Sequence, residues 1–460
     1  MKRLRLCLSI LVTKFLILVG KLMGKKSSSA PGKYAMKLCP DALKMLSSQV
    51  SYEIICVLGT NGKTTTNNMI DSILSHNKFK TVCNRVGANM LDGVATAFLE
   101  KANLFGKLKA DYAVLEIDEA SAKLVFDHFS PDIIVVTNLF RDQMDRYGEI
   151  EQTLAQLKMA IDKAPDALLV LNADDPMSSY FTKATGNRAV TFGITEEVAQ
   201  PLSETKEGRK CPLCSQELQY RFYHYNQLGD FYCSGCDFKR PDPDFRATNI
   251  VCEPKIRFTL NQAQTVDADI YGFYNIYNML ATISVMELLE PGCEEYTKLF
   301  TGYVPQTARM EAFQFEKPVI LNLAKNPAGF NQAIATLLSD PRKKAVVVGI
   351  NDMPSDGCDI SWIYDVNFEA LTDCTAYGAS GKRCYDTALR LYYADVCENP
   401  SVNPDPIPLA LDFLKTDCEV VYVLVNYTLI FEAKASLEKA QKAFQKSKKH
   451  QKAKGEQACN

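Results

Sequence analysis

The sequence predicts an α/β protein: a central phosphate-loop domain interrupted by a four-cysteine ribbon, followed by a second α/β domain. Three observations predict it. The stretch VLGTNGKTTTNNMI (57–70) joins an apolar strand to a helix through a glycine-flanked loop ending in Lys-Thr. Several short apolar runs then end in polar residues on what would be one sheet edge. Finally, CPLC and CSGC place four cysteines as C-x₂-C-x₁₈-C-x₂-C.

The chain opens with a basic, apolar segment, residues 1–45. Nine Lys/Arg fall within the first 40 residues, and the first acid is Asp41. The apolar run Leu6–Gly20 is interrupted by Lys14, and a lysine at the centre of a span costs roughly 2.5–3.5 kcal/mol. The segment is therefore read, in preference to a cleaved or spanning one, as a helix that packs on the body or lies on an anionic membrane face.

The central domain is expected over residues 46–310. EIICVL (53–58) reads as a buried strand and Lys63 onward as a helix. The usual phosphate loop would carry its first glycine at position 57. Here that residue is Val57, and the nearest glycine is Gly59, so the loop is two residues tighter. The mechanism survives the change. Backbone N–H groups of Gly59, Thr60, Asn61, Gly62, Lys63, Thr64 and Thr65 face an anion at a helix N-terminus. Lys63 reaches the terminal phosphates, and the Thr64 hydroxyl offers a Mg²⁺ ligand. ADYAVLEIDEAS (110–121) is a strand emptying into Glu116, Asp118 and Glu119, where open α/β sheets place ligands. Glu116 and Glu119 are candidates to share the Mg²⁺ with Thr64. Ile133–Val136 empties into Thr137 and Asn138, and ALLVLNADDP (167–176) repeats the scheme with Asn172, Asp174 and Asp175. Three strands with polar residues at the same end are read as one site edge.

Cys211, Cys214, Cys233 and Cys236 suit a closed tetrahedral Zn²⁺ site with no open position, hence a structural one. It would staple a ribbon of about residues 206–241 whose own core is too small to fold alone. Residues 311–445 are read as the second α/β domain and the lysine-rich 446–460 as a disordered tail. The 16 cysteines are scattered, several within apolar runs, which fits a reducing cytosol. A net charge of −2 argues against nucleic-acid binding.

Taken together, GTNGKTT (59–65), LEIDEAS (115–121), TNLFRDQMDRYG (137–148), LNADDP (171–176) and GFYNIYNMLA (272–281) resemble the Mur ligase superfamily, in that family's order. The resemblance implies a Mur ligase-type ATP-binding domain with Lys63 and Glu116 in catalysis and Asn138, Asn275 and Asn278 around the nucleotide, the last two near the adenine. It also implies that Lys158 stands where many relatives carry a carbamylated lysine. Three departures stand out. Gln143 replaces a metal-binding histidine, and no D-N-P-R amino-acid-recognition motif follows the strand Ala345–Ile350. SDPR (339–342) precedes that strand and is read as a decoy. NLAKNPAGF (322–330) puts Asn322 and Lys325 in the Asp and His places of the family's D-Y-A-H-N-P. After the strand comes NDMPSDGCDISWIYD (351–365).

With the inserted ribbon, DQMDRYGE, LAKNPAGFNQ and DGCDISWIYD, the chain is similar to the ATP-using subunits of lipid II isoglutaminyl synthases within that superfamily. The resemblance implies amidation of the α-carboxylate of D-glutamate in the lipid II stem peptide to D-isoglutamine, through an acyl phosphate formed with ATP and Mg²⁺. Ammonia then takes the place of an incoming amino acid. Four histidines are present, and no cysteine lies in a nucleophile-elbow setting, so ammonia is expected from a separate GatD-like glutaminase chain. In this family an aspartate of the second domain completes the glutaminase's Cys-His pair, and here Asp356 and Asp359 are the candidates. The expected place is the cytoplasm, at the inner membrane face where the N-terminal segment engages it. The alternatives are a Mur or folylpolyglutamate-type ligase adding an amino acid, and a zinc-ribbon ATPase acting as a scaffold or nucleic-acid-binding module.

Overall fold

The structure is a computed structural model. It describes residues 2–23, 28–84, 88–141, 150–198, 209–252, 255–289, 296–300, 303 and 310–458, with side chains to 448. Residues 142–149, which include Gln143 and Tyr147, and the ribbon's first residues, 206–208, lie outside the described set. The chain divides into two compact units, the first made of Met1–Phe140, Tyr147–Val198 and Lys206–Val304 and the second chiefly of Pro305–Asn460.

In the first unit the strands are β1 (Ile54–Leu58), β2 (Thr81–Cys83), β3 (Tyr112–Glu116), β4 (Ile133–Val136), β5 (Leu168–Asn172) and β6 (Ala189–Ile194). Beyond the ribbon hairpin, β7 (Leu218–Tyr225) and β8 (Leu228–Cys233), come β9 (Phe245–Val251), β10 (Ile256–Leu260) and β11 (Gln264–Ala268). Nine of these form one sheet in the order β11-β10-β9-β6-β5-β4-β1-β3-β2. It is parallel from β2 to β9 and antiparallel at the β10 and β11 end. β1, β3 and β4 are buried at every position, which is why they read as unbroken apolar runs rather than alternating ones. The chain leaves β1 toward β3 and β2 and returns to β4 on the other side, so the loop after β1 sits at a topological switch point.

The N-terminal segment belongs to this unit. Helices α1 (Lys2–Leu22), α2 (Ala30–Leu38) and α3 (Ala42–Ser47) precede β1; α4 (Lys63–His76) follows it and α5 (Leu91–Lys101) follows β2. Leu6, Ile10, Ala35, Leu43 and Leu46 join the same apolar core as Phe98 and Leu99 of α5. These N-terminal helices thus share one apolar core with the central sheet and α5.

In the second unit β12 (Glu311–Gln314), β13 (Pro318–Leu323), β14 (Lys344–Gly349), β15 (Cys374–Ser380), β16 (Ser401–Val402) and β17 (Val420–Val425) form a six-stranded sheet in the order β12-β13-β17-β14-β15-β16. It is parallel apart from β12. The last helix runs from Tyr427 to Ala458. Residues 446–458, expected to be disordered, are therefore helical backbone. Their Lys, Ala, Gln and Glu are good helix formers, a propensity that a reading based on charge alone overlooks.

Candidate active site

The loop after β1 is held by two backbone conformations that need glycine. Gly59 (φ +120°) and Gly62 (φ +86°) lie in the left-handed region, where a Cβ is disfavoured. A Cβ at Gly59 would strike the Thr137 hydroxyl, and one at Gly62 would strike Asn278 Oδ1. The rest of the loop is tied to the end of β4. Thr60 N–H donates to the Asn138 carbonyl at 2.7 Å, Asn61 N–H donates to Asn138 Oδ1 at 2.9 Å, and Thr137 Oγ1 donates to the Asn61 carbonyl at 2.7 Å. The opening expectation of a tighter loop is physically accounted for, because β4 supplies the bonds that fix it.

Lys63 begins α4 with its ammonium buried against Glu119 Oε1 at 2.9 Å and bonded to the Gly59 carbonyl. Burial opposes its charge, but Glu119, Glu116 and Asp118 outweigh that and hold its pKa above the ordinary value. Burial pushes the Glu119 carboxyl up, with Lys63 opposing. Thr64 Oγ1 donates to Glu116 Oε2 at 2.8 Å, and Asn89 Nδ2 donates to Glu116 Oε1 at 3.1 Å. Asn84 brackets the Glu116 backbone, accepting from its N–H at 2.9 Å and donating to its carbonyl at 2.7 Å. Lys63, Thr64, Glu116 and Glu119 therefore converge. Their set of one hydroxyl and two carboxylates, all hard oxygen donors, fits Mg²⁺. Asn84 and Asn89 were not foreseen; asparagines outside a named motif offer no sequence signal.

On the other side of the loop stands the helix Tyr274–Leu289. Asn278 Nδ2 donates to Asn275 Oδ1 at 2.9 Å, and Thr66 Oγ1 donates to Asn278 Oδ1 at 3.4 Å. Both asparagines lie within this unit beside the phosphate loop. Lys158 is on the helix Ile150–Ile161, half-exposed and paired with Asp162 at 2.7 Å.

The site edge read from three strands is corrected in part. Thr137 and Asn138 do meet the loop, but Asp174 and Asp175 are fully buried and turn to the ribbon. Arg240 Nε donates to Asp174 Oδ1 at 2.6 Å and Tyr277 OH to Asp174 Oδ2 at 2.8 Å, while His224 Nδ1 lies 2.7 Å from the same tyrosine hydroxyl. Asp175 accepts from Leu139 N–H at 2.7 Å and from Gln227 Nε2 at 2.8 Å. His224, Gln227 and Arg240 thus fasten the ribbon to the strand ends and to the helix bearing Asn275 and Asn278. Burial raises the Asp175 pKa to about 6, with Gln227 and backbone N–H groups opposing. A carboxyl whose folded pKa exceeds its unfolded value of about 3.9 favours the fold when protonated. Its contribution is present below about pH 4 and lost as pH rises through about 6. Asp175→Asn should flatten the dependence of the thermal midpoint on pH across that window, and an unchanged pH profile would contradict the assignment.

In the ribbon, Cys211 Sγ lies 3.6 Å from Cys236 Sγ and Cys214 Sγ 3.5 Å from Cys233 Sγ. All four sulfurs fall within 4.8 Å of one another. A tetrahedron of Zn–S bonds of about 2.3 Å has edges of about 3.8 Å, so the cluster fits zinc. Behind it is a small core of Leu218, Phe231 and Phe238, too little to hold the hairpin alone. Purified protein should contain one zinc per chain. Cys211→Ser should lower metal content and thermal midpoint together, by several degrees. Protein prepared without chelator and free of zinc would contradict this.

The second unit holds the remaining candidates. Asp356 is buried; its carboxylate accepts from Thr428 N–H at 2.8 Å and from the Thr428 hydroxyl, at the start of the last helix. Burial pushes its pKa up. Asp359 is exposed, accepting from Ser361 N–H at 2.8 Å and the Ser361 hydroxyl at 3.0 Å, bonds that hold its pKa down. Asp340 of SDPR is engaged by Arg342 at 2.6 Å and by Tyr422 OH of β17 at 2.7 Å. Asn322, the last but one residue of β13, accepts from Met310 N–H at 3.1 Å.

A phosphate loop at a sheet switch point, a lysine framed by carboxylates, and a following α/β unit define a Mur-type ATP-dependent ligase. Residues 57–234 match the family model of the Mur ligase middle domain and residues 323–430 that of the MurT ligase C-terminal domain. The chain is 36% identical over 378 residues, covering 81% of it and 84% of the relative, to the lipid II isoglutaminyl synthase (glutamine-hydrolyzing) subunit MurT of Staphylococcus aureus. It is 36% identical to the Streptococcus pneumoniae subunit of the same name over 416 residues, covering 88% of the chain and 91% of the relative. Among solved structures it resembles a pseudomurein peptide ligase type C from Methanothermus fervidus (TM-score 0.68, 20% identity, 86% of this chain and 80% of that one). It also resembles the MurF ligase of Thermotoga maritima in complex with ADP (TM-score 0.63, 16% identity, 89% and 85%). The chain belongs to the MurT family.

Proposed function

We propose that this chain is the ATP-using subunit of a lipid II isoglutaminyl synthase. A carboxylate is a poor acyl donor. In the proposed reaction an oxygen of the D-glutamate α-carboxylate attacks the γ-phosphorus of ATP, ADP leaves, and an acyl phosphate forms. Ammonia then attacks the acyl carbon, phosphate departs with that oxygen, and the nitrogen loses a proton to give the D-isoglutamine amide. Lys63 would exchange Glu119 for the terminal phosphates and offset charge building on the transferring group. Glu116, Glu119 and Thr64 would hold Mg²⁺, which supplies Lewis-acid polarisation of the phosphoryl oxygens. Gly59 to Thr65 and Asn138 would cradle the phosphates, with Asn275 and Asn278 on the adenine side.

Ammonia is mostly ammonium at neutral pH, so a GatD-like glutaminase subunit is proposed to generate it. An aspartate of the 356–359 loop would orient that partner's histidine. Asp359 is the better candidate, being exposed, whereas Asp356 is buried at a helix start. The reaction would take place at the cytoplasmic membrane face, where a lipid-borne substrate resides. The observation that carries the reading is the 36% identity to two subunits of this name across more than four-fifths of the chain. The test is mass spectrometry of lipid II incubated with the co-purified complex, ATP and glutamine. A product lighter by the difference between a hydroxyl and an amino group supports the reading. A product heavier by an amino-acid residue would instead mark an amino-acid-adding ligase.

A further inference from the structure

We propose that α1 lies in the plane of an anionic lipid bilayer, with its outward face and the Leu104–Phe105 turn as the contact. Leu4, Leu8, Leu11, Phe15, Leu18 and Leu22 are all exposed, and steps of four and three place them on one stripe. The stripe is continuous because the polar residues between Leu6 and Gly20 turn inward. Ser9 Oγ donates to the Ala35 carbonyl at 3.0 Å, Thr13 is buried, and Lys14 Nζ donates to the Glu100 carbonyl at 2.7 Å. The lysine that interrupts the apolar run in sequence therefore leaves the outward face uncharged.

Leu6, on the buried side of α1, lies against Gly106, so the Asn103–Lys107 turn borders the helix and its exposed tip is a second, separate apolar contact. Asn103 Oδ1 fixes that turn by accepting from Phe105 and Lys107 N–H groups at 3.0 Å each. At its tip Phe105 is 83% exposed and Leu104 50%.

The charge pattern identifies the occupant. Arg3 and Arg5 stand at one end of the stripe, where Lys2 is paired with Asp41 at 2.7 Å, and Lys21 stands at its other end. Lys101, Lys107 and Lys109 flank the Leu104–Phe105 turn, and no acid precedes Asp41. A helical protein partner is normally framed by charged residues along both sides of the seam. Here the half-buried flanks include Val12, Leu16, Ile17 and Val19, and the charges gather at the ends, where they reach lipid headgroups. Among the described residues no helix is long and apolar enough to cross a membrane, so the contact is in-plane. The inference is independent of the chemistry proposed above, although it would bring the enzyme to a lipid-borne substrate.

The experiment is co-sedimentation of the full chain, bound to its glutaminase, with phosphatidylglycerol-containing vesicles and with pure phosphatidylcholine vesicles. The complex should pellet with the anionic vesicles, less so at high salt, and not with the neutral ones. Leu11→Glu with Phe15→Glu, and separately Phe105→Ser, should lower the bound fraction about tenfold or more. ATP turnover with a water-soluble substrate analogue should be unchanged in both. Absence of anionic-vesicle binding, or equal binding by both variants, overturns the proposal. So does a double variant that sheds the glutaminase or changes oligomeric state, since the stripe would then be a protein interface. Vesicle binding without turnover in the wild type would refute the reaction and leave this inference standing.

Discussion

Replacing Lys63 with alanine is expected to abolish amidation with either glutamine or an ammonium salt as nitrogen source. The ammonium is the one cation aimed into the phosphate loop among the described residues there, and removing a single donor to developing charge costs about 10²–10³-fold in kcat. The variant also leaves Glu119 buried without its ion pair. Breaking one side of a buried pair costs about 3–5 kcal/mol, less whatever Glu119 regains by taking up a proton. Burial already pushes that carboxyl up, and losing Lys63 pushes it further. Because a carboxyl with a raised folded pKa weakens the fold as pH rises through it, the variant should be less destabilised on the acid side of that titration than on the alkaline side. Kinetics with both nitrogen sources and thermal midpoints on both sides check this. Undiminished turnover in either nitrogen source would remove Lys63 from phosphoryl transfer.

Asp359→Asn is expected to separate the two half-reactions. If its carboxylate orients the glutaminase histidine, glutamine-dependent amidation should fall by up to about 10⁴-fold. High ammonia at mildly alkaline pH should restore amidation, because the ATP site is untouched, and the thermal midpoint should not move. Asp356→Asn should behave differently. It weakens the carboxylate's hold on Thr428 at the start of the last helix, at a cost of about 1 kcal/mol, and should lower the thermal midpoint with no selective loss of glutamine-dependent activity. An ammonia-rescued loss in Asp356→Asn alone would move the role to that residue. If neither variant loses glutamine-dependent activity, the shared triad is wrong.

Much of this site could be read from the sequence because its signals are local. Buried parallel strands appear as unbroken apolar runs, the loop glycines sit where only positive φ serves, and paired cysteines at fixed spacing declare a metal knuckle. The parts that were missed depend on where distant elements dock. Asp174 and Asp175 follow a strand end as site residues would, yet the inserted ribbon brings Arg240 and Gln227 onto them. Lys14 reads as a break in an apolar helix until α5 offers it a carbonyl at Glu100. Asn84 and Asn89 reach Glu116 only because β2 and the segment after it lie beside β3. In each case a polar side chain finds its partner through tertiary packing, which no periodicity or spacing encodes.

The most direct measurement follows one oxygen. Lipid II carrying heavy oxygen in the α-carboxylate of its D-glutamate is incubated with the co-purified complex, ATP and glutamine, and both products are weighed. An acyl-phosphate route must deliver one labelled oxygen to inorganic phosphate and leave one in the D-isoglutamine amide. Unlabelled phosphate, or lipid II that keeps both labelled oxygens, would contradict it.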